Sequence, residues 1–174
     1  MQLRMALETE AIAALTARGE RESFLDFGRR SLTYQKQALA ISDLRSFYEL
    51  DDEMHRAIIF DSGLLKFNHI LDGVQPHLSR VRLLTGAATC VLGESLSEHQ
   101  AIIDAIASGE ATSAVIALRG HRSREIAELE DKKSKTEGLL NSGSTSHEEL
   151  TAWAAELEET SAWEATLADG LEQE

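Results

Sequence analysis

The side chains best suited to chemistry in this sequence are its six histidines: His55, His69, His77, His99, His121 and His147. In the segment LDDEMH, Asp51 lies four residues before His55 and Asp52 three before it. One helical turn puts side chains at i and i+4 on the same face, ~5–6 Å apart between Cβ atoms. A carboxylate and an imidazole at that spacing can chelate a divalent ion. The same pair serves equally as a surface hydrogen bond or a helix salt bridge.

His99 and His121 form a second half-site. His99 lies about ten residues before the turn signal Ser108-Gly109, and His121 about twelve after it. In an antiparallel helical hairpin the two imidazoles stand at nearly the same height. Whether the halves meet depends on the helix between them, where Pro76 can introduce a kink. Separate histidines on polar faces remain the alternative. No HExxH, CxxC, GxSxG, P-loop or GxGxxG pattern occurs, and no Glu-x-x-His pair. No nucleophile stands beside an obvious base, which argues against an enzyme.

The elements that must carry these residues read as helices. Hydrophobic residues make up 43% of the chain, proline occurs once, and aromatics are 5%. That composition favours an all-α fold with an aliphatic core. Apolar spacing predicts helices over 3–18, 21–40, 43–60 with Ser42 as N-cap, 64–84, 94–107 and 110–131. Gly86 to Gly93 reads as a connection. The short turns imply an antiparallel bundle of six to seven helices over residues 1–131. Residues 132–146, polar with Gly and Ser, read as a linker. Residues 147–174 read as an acidic helical tail carrying Trp153 and Trp163.

The formal net charge of −13 disfavours nucleic-acid binding by the chain itself. Nine acidic residues and no Lys or Arg fall within 146–174, so the tail holds most of that excess. The single cysteine, Cys90, excludes an intramolecular disulfide and a Cys-rich zinc site, and fits a cytoplasmic location. No apolar run of ~18 residues suggests a membrane span.

Several segments together resemble the FCD domain, the C-terminal effector-binding domain of the FadR subgroup of GntR-type bacterial transcription regulators. LRMALETEAIAALTA is similar to that family's R-x-x-L-E-x-x-A-A opening, and ELDDEMHRAI to its D-x-x-F-H segment, with Met54 in place of Phe. SGLLKFNHIL resembles S-G-N-x-x-L, with Leu64 in place of Asn. SLSEHQAIIDAIASGEATSAVIALRGH resembles E-H-x-x-I-x-x-A-I-x-x-G-D and its following M-x-x-H, with Glu110 and Leu118 as departures. The likeness covers roughly residues 2–128.

The resemblance implies a bundle of six or seven helices that holds a divalent metal through Asp51, His55, His99 and His121. Zinc comes first, with nickel and manganese as alternatives. It implies a small carboxylate effector, with Arg4, Arg80 and Arg82 as candidate anion contacts. Surface salt bridges are the competing role for those arginines. It also implies a homodimer that reaches DNA only through a winged helix-turn-helix, which this sequence is expected to lack. A metal-dependent enzyme on the same bundle, or a stand-alone interaction module using the acidic tail, are the competing functions.

Overall fold

The computed structural model describes residues 2–19, 21–64, 66 and 89–142. Among them the regular structure is helical: α1 (Gln2–Arg18), α2 (Glu22–Ala40), α3 (Leu44–Ser62), α4 (Thr89–Ser108) and α5 (Ala111–Ser142). The all-α expectation therefore holds. The helix expected over 64–84 with Pro76, and the tail helix, lie outside the described residues, as do His69, His77, His147, Arg80 and Arg82.

The five helices form a closed ring. Helix α1 packs on α3, α3 on α2, α2 on α4, α4 on α5, and α5 on α1. Two chain reversals bring α3 alongside α1 in the same direction. Arg4 near the start of α1 faces Asp52, and Arg18 at its end reaches the carbonyl of Ser62. The other neighbours are antiparallel.

Each helix turns an apolar stripe inward. On α2 the buried positions are Phe24, Leu25, Gly28, Ser31, Leu32, Gln35 and Ala38, the i, i+3/i+4 spacing of one helical face. The larger core cluster gathers Ile12, Leu15, Phe24, Ile58, Ile103, Ile106 and Leu118 among others. A smaller one, Ala38, Phe47, Tyr48 and Leu92, lies toward the other end. Between the two clusters, along α2, α3 and α4, fall Gln35, Asp51, His55 and His99. The ring thus holds a polar layer between two apolar ones. Helix α2 approaches α4 closely at Gly28, where an added Cβ would lie 3.3 Å from Ile103 Cγ1.

Local signals explain most boundaries, and correct three of the expected ones. The N-cap of α3 is Asp43, which accepts from the Ser46 amide at 3.1 Å. Ser42, expected in that role, adopts φ 58° as the chain leaves α2. Gly63 ends α3 at φ 83°, a conformation favouring glycine. Helix α4 begins at Thr89, inside the expected connection. Gly93 is absorbed into it, since one internal glycine costs only about 1 kcal/mol and tertiary packing outweighs that. Helix α5 runs to Ser142, through most of the expected linker. The stretch KKSKTEGLLNS holds three Lys, two Leu and one Glu, all good helix formers.

The core makes a direct test of this packing. Ile103 is fully buried and Ile116 is 66% exposed. Ile103→Ala is expected to cost about 2–5 kcal/mol of unfolding free energy, and Ile116→Ala under about 0.5 kcal/mol, by urea denaturation.

Candidate metal centre

The polar layer is built from side chains of all five helices. Helix α3 contributes Asp51 and His55 one turn apart, α4 contributes His99, and α5 contributes His121. All four are buried. Both half-sites inferred from spacing meet. Asp51, His55, His99 and His121 each offer one donor atom, and these atoms lie within 4.8 Å of one another. The meeting follows from the ring order, which sets α3 across the centre from the α4–α5 hairpin.

The distances show a convergent set. Asp51 Oδ1 lies 2.9 Å from His99 Nε2 and 3.7 Å from His55 Nε2. His99 Nε2 and His121 Nε2 are 3.3 Å apart. The His55 and His121 rings stack with centroids 5.2 Å apart and 9° between their planes. All three imidazoles therefore turn Nε2 toward one point.

Their other ring nitrogens face outward to acceptors. His99 Nδ1 is 2.8 Å from Gln35 Oε1. The Gln35 amide nitrogen donates to Ser31 Oγ and the Leu50 carbonyl, which leaves its oxygen toward the ring. His99 must therefore donate from Nδ1. His121 Nδ1 is 2.7 Å from Glu98 Oε2. Burial alone would raise Glu98, but hydrogen bonds from His121 and Arg124 hold it at about 2, so it accepts as a carboxylate. His55 Nδ1 has Glu8 Oε2 3.2 Å away, outside hydrogen-bond alignment. Acceptors behind metal-binding histidines fix the ring and its tautomer in this way.

With Nδ1 donating, the neutral rings of His99 and His121 point two Nε2 lone pairs at each other and at Asp51. That arrangement is repulsive unless positive charge sits among them. A proton on His99 is opposed by burial, and by the neighbouring imidazole. Burial, together with nearby Arg122, pushes His55 down to about 3. Both nitrogens of His55 are buried without a hydrogen-bond partner. One proton would serve a single pair. A divalent ion would serve all four donors at once, and three imidazoles with one carboxylate suit zinc and its neighbours. The residues present fit such an ion.

A buried ion network backs the cluster. Glu8 on α1 receives Arg122 at 2.7 and 2.8 Å and Arg4 at 2.7 Å. Burial alone would raise Glu8, but Arg122, His55 and Arg4 hold it well below the usual carboxylate range. Arg4 also reaches Asp52 at 3.4 Å, and Arg122 pairs with Glu125. Arg124 grips Glu98 and bonds Ser95 Oγ. Arg4, expected as an anion contact, thus points at internal carboxylates. Glu8, Gln35, Glu98, Arg122, Arg124 and Glu125 were not among the residues expected from spacing. Two i, i+4 pairs, Arg4–Glu8 and His121–Glu125, were the signals available.

The model of the FCD domain family matches residues 1–124 of the chain. No curated protein and no solved structure matches it.

The depressed histidines make the metal-free protein acid-sensitive. Above pH 6.5 both folded and unfolded chains hold His55 and His99 neutral. Below it the unfolded chain binds protons that the folded one rejects, so stability falls with pH. Glu8 and Glu98 add a loss only below about pH 4.5. Urea denaturation in chelator is expected to show stability decreasing from pH 7 to pH 5, by at most about 1.4 kcal/mol per pH unit per histidine. A flat profile there would refute the buried, neutral state of the histidines.

Proposed function

The chain belongs to the FCD domain family, the effector-binding domains of GntR-type transcription regulators, and from that premise we propose that it senses a small organic acid at a divalent metal. The ligands of that metal are Asp51, His55, His99 and His121, and zinc is the first choice, before nickel and manganese. One observation carries the reading: three Nε2 atoms and a carboxylate oxygen converge in a buried site while outward acceptors hold the rings.

A divalent ion held by three neutral imidazoles and one carboxylate retains about +1 charge. In a buried, weakly screened layer that charge attracts an anion. A carboxylate fits the ion's open positions. Arg80 and Arg82 are the proposed anion contacts. Arg4 supports the site from behind through Glu8 and Asp52. The sensor reading is preferred to a catalytic one because, among the described residues, the outward carboxylates near the site already hold arginine or histidine, and none of these is placed as a separate general base. We propose further that the domain works as a cytoplasmic homodimer and acts on DNA only through a separate DNA-binding domain. Among the described residues no helix is long and apolar enough to cross a membrane.

Elemental analysis of protein purified without chelator is expected to give close to one equivalent of metal. Organic acids are then screened by thermal shift on metal-loaded and chelated protein. An acid at ~100 times its dissociation constant adds about 2.7 kcal/mol to the loaded form. Protein that cannot be loaded with zinc, nickel or manganese would sink the metal reading. Equal shifts in wild type and His99→Ala would place the acids elsewhere.

A further inference from the structure

Glu125 stands one turn beyond His121 on α5, with Oε2 3.6 Å from His121 Nε2. Its side chain is 13% exposed. Two donors on one metal at ~2.1 Å each lie ~3.0 Å apart at right angles and ~4.2 Å apart when opposite. The separation from His121 falls within that range, but Glu125 lies outside the group whose donors are all within 4.8 Å of one another, so reaching the metal requires its carboxylate to swing inward. The four-residue cluster closes without Glu125, which therefore stands at its rim beside one ligand. Arg122 holds it there: Nη1 donates to the same Oε2, and the guanidinium is itself fixed by two hydrogen bonds to Glu8. An anionic oxygen is thus anchored next to the metal ligands by a buried cation.

We propose that Glu125 is an internal competitor for the effector: with metal bound, its carboxylate swings from Arg122 onto the metal, and an incoming carboxylate takes that place and returns Glu125 to Arg122. This rests on the metal-sensor reading above. It explains a feature that the four-ligand set leaves over, a carboxylate of the same chemical class as the proposed effector, held beside the donors. A tethered carboxylate acts at high effective concentration, so it raises the amount of free acid needed to occupy the metal. The domain would then respond to a chelating or abundant acid and ignore trace monocarboxylates.

The test uses the Co²⁺- and Zn²⁺-loaded full chain, with acetate as the probe, in wild type, Glu125→Gln and Glu125→Ala. Glutamine removes the charge but keeps an acceptor for Arg122, so it separates loss of the carboxylate from loss of the Arg122 hydrogen bond. Acetate binding is followed by the visible absorption of Co²⁺ and by thermal shift of the Zn²⁺ form. The acetate concentration at half response is expected to fall about tenfold in both variants, and Zn²⁺ affinity in Glu125→Ala to weaken about tenfold. The same half-response in all three proteins would overturn the proposal while leaving the four-ligand metal site intact. Failure of the wild type to take up either metal would overturn the sensor reading, and this inference with it.

Discussion

The fold turns on one electrostatic constraint: three imidazole nitrogens and a carboxylate oxygen meet in a layer that water does not reach. The Nδ1 atoms of His99 and His121 are turned away toward acceptors, so their Nε2 atoms present lone pairs to the centre, where His55 Nε2 also faces Asp51. Lone pairs and an anion in mutual contact repel strongly where screening is weak. Positive charge at that point would convert the repulsion into attraction. Ordinary protonation is a poor source of it, because burial disfavours the imidazolium of His55 and His99.

The rest of the polar layer follows from this. Gln35 and Glu98 hold the rings of His99 and His121, Glu8 stands beside His55, and Arg4, Arg122 and Arg124 hold Glu8 and Glu98. Formally, four carboxylates (Glu8, Asp51, Asp52, Glu125) face two guanidiniums (Arg4, Arg122) in the inner part of the network. A divalent cation balances that set. Removing one partner of a buried ion pair costs about 3–5 kcal/mol, because the other is left uncompensated. An apolar layer could have been as stable, so the network is better understood as specifying a site than as holding the bundle together. Holding is the task of the apolar clusters on either side.

Much of this was legible in the sequence. Asp51 and His55 announce themselves by one-turn spacing, and His99 and His121 by near-equal distance from the Gly109 turn. Spacing alone did not show whether the halves meet, since that depends on the ring order of helices and not on distance along the chain; the resemblance to the FCD domain did imply it. The supporting residues were hidden for the same reason. Glu8 and Arg122 are 114 positions apart and face each other only after folding. Gln35 carries no charge and looks like any polar position on an amphipathic helix. The ends of α4 and α5 were misread because Gly93 and the KKSKTEG stretch resemble turn and linker. In the folded chain, packing and intrinsic helix propensity decide.

The most direct measurement of the central claim is an anomalous-scattering map from crystals of the zinc-loaded protein, recorded across the zinc edge. The account predicts a single buried peak within ~2.0–2.2 Å of the Nε2 atoms of His55, His99 and His121 and of an Asp51 carboxylate oxygen. A centre with no peak, with His99 and His121 bridged by hydrogen bonds alone, would contradict it.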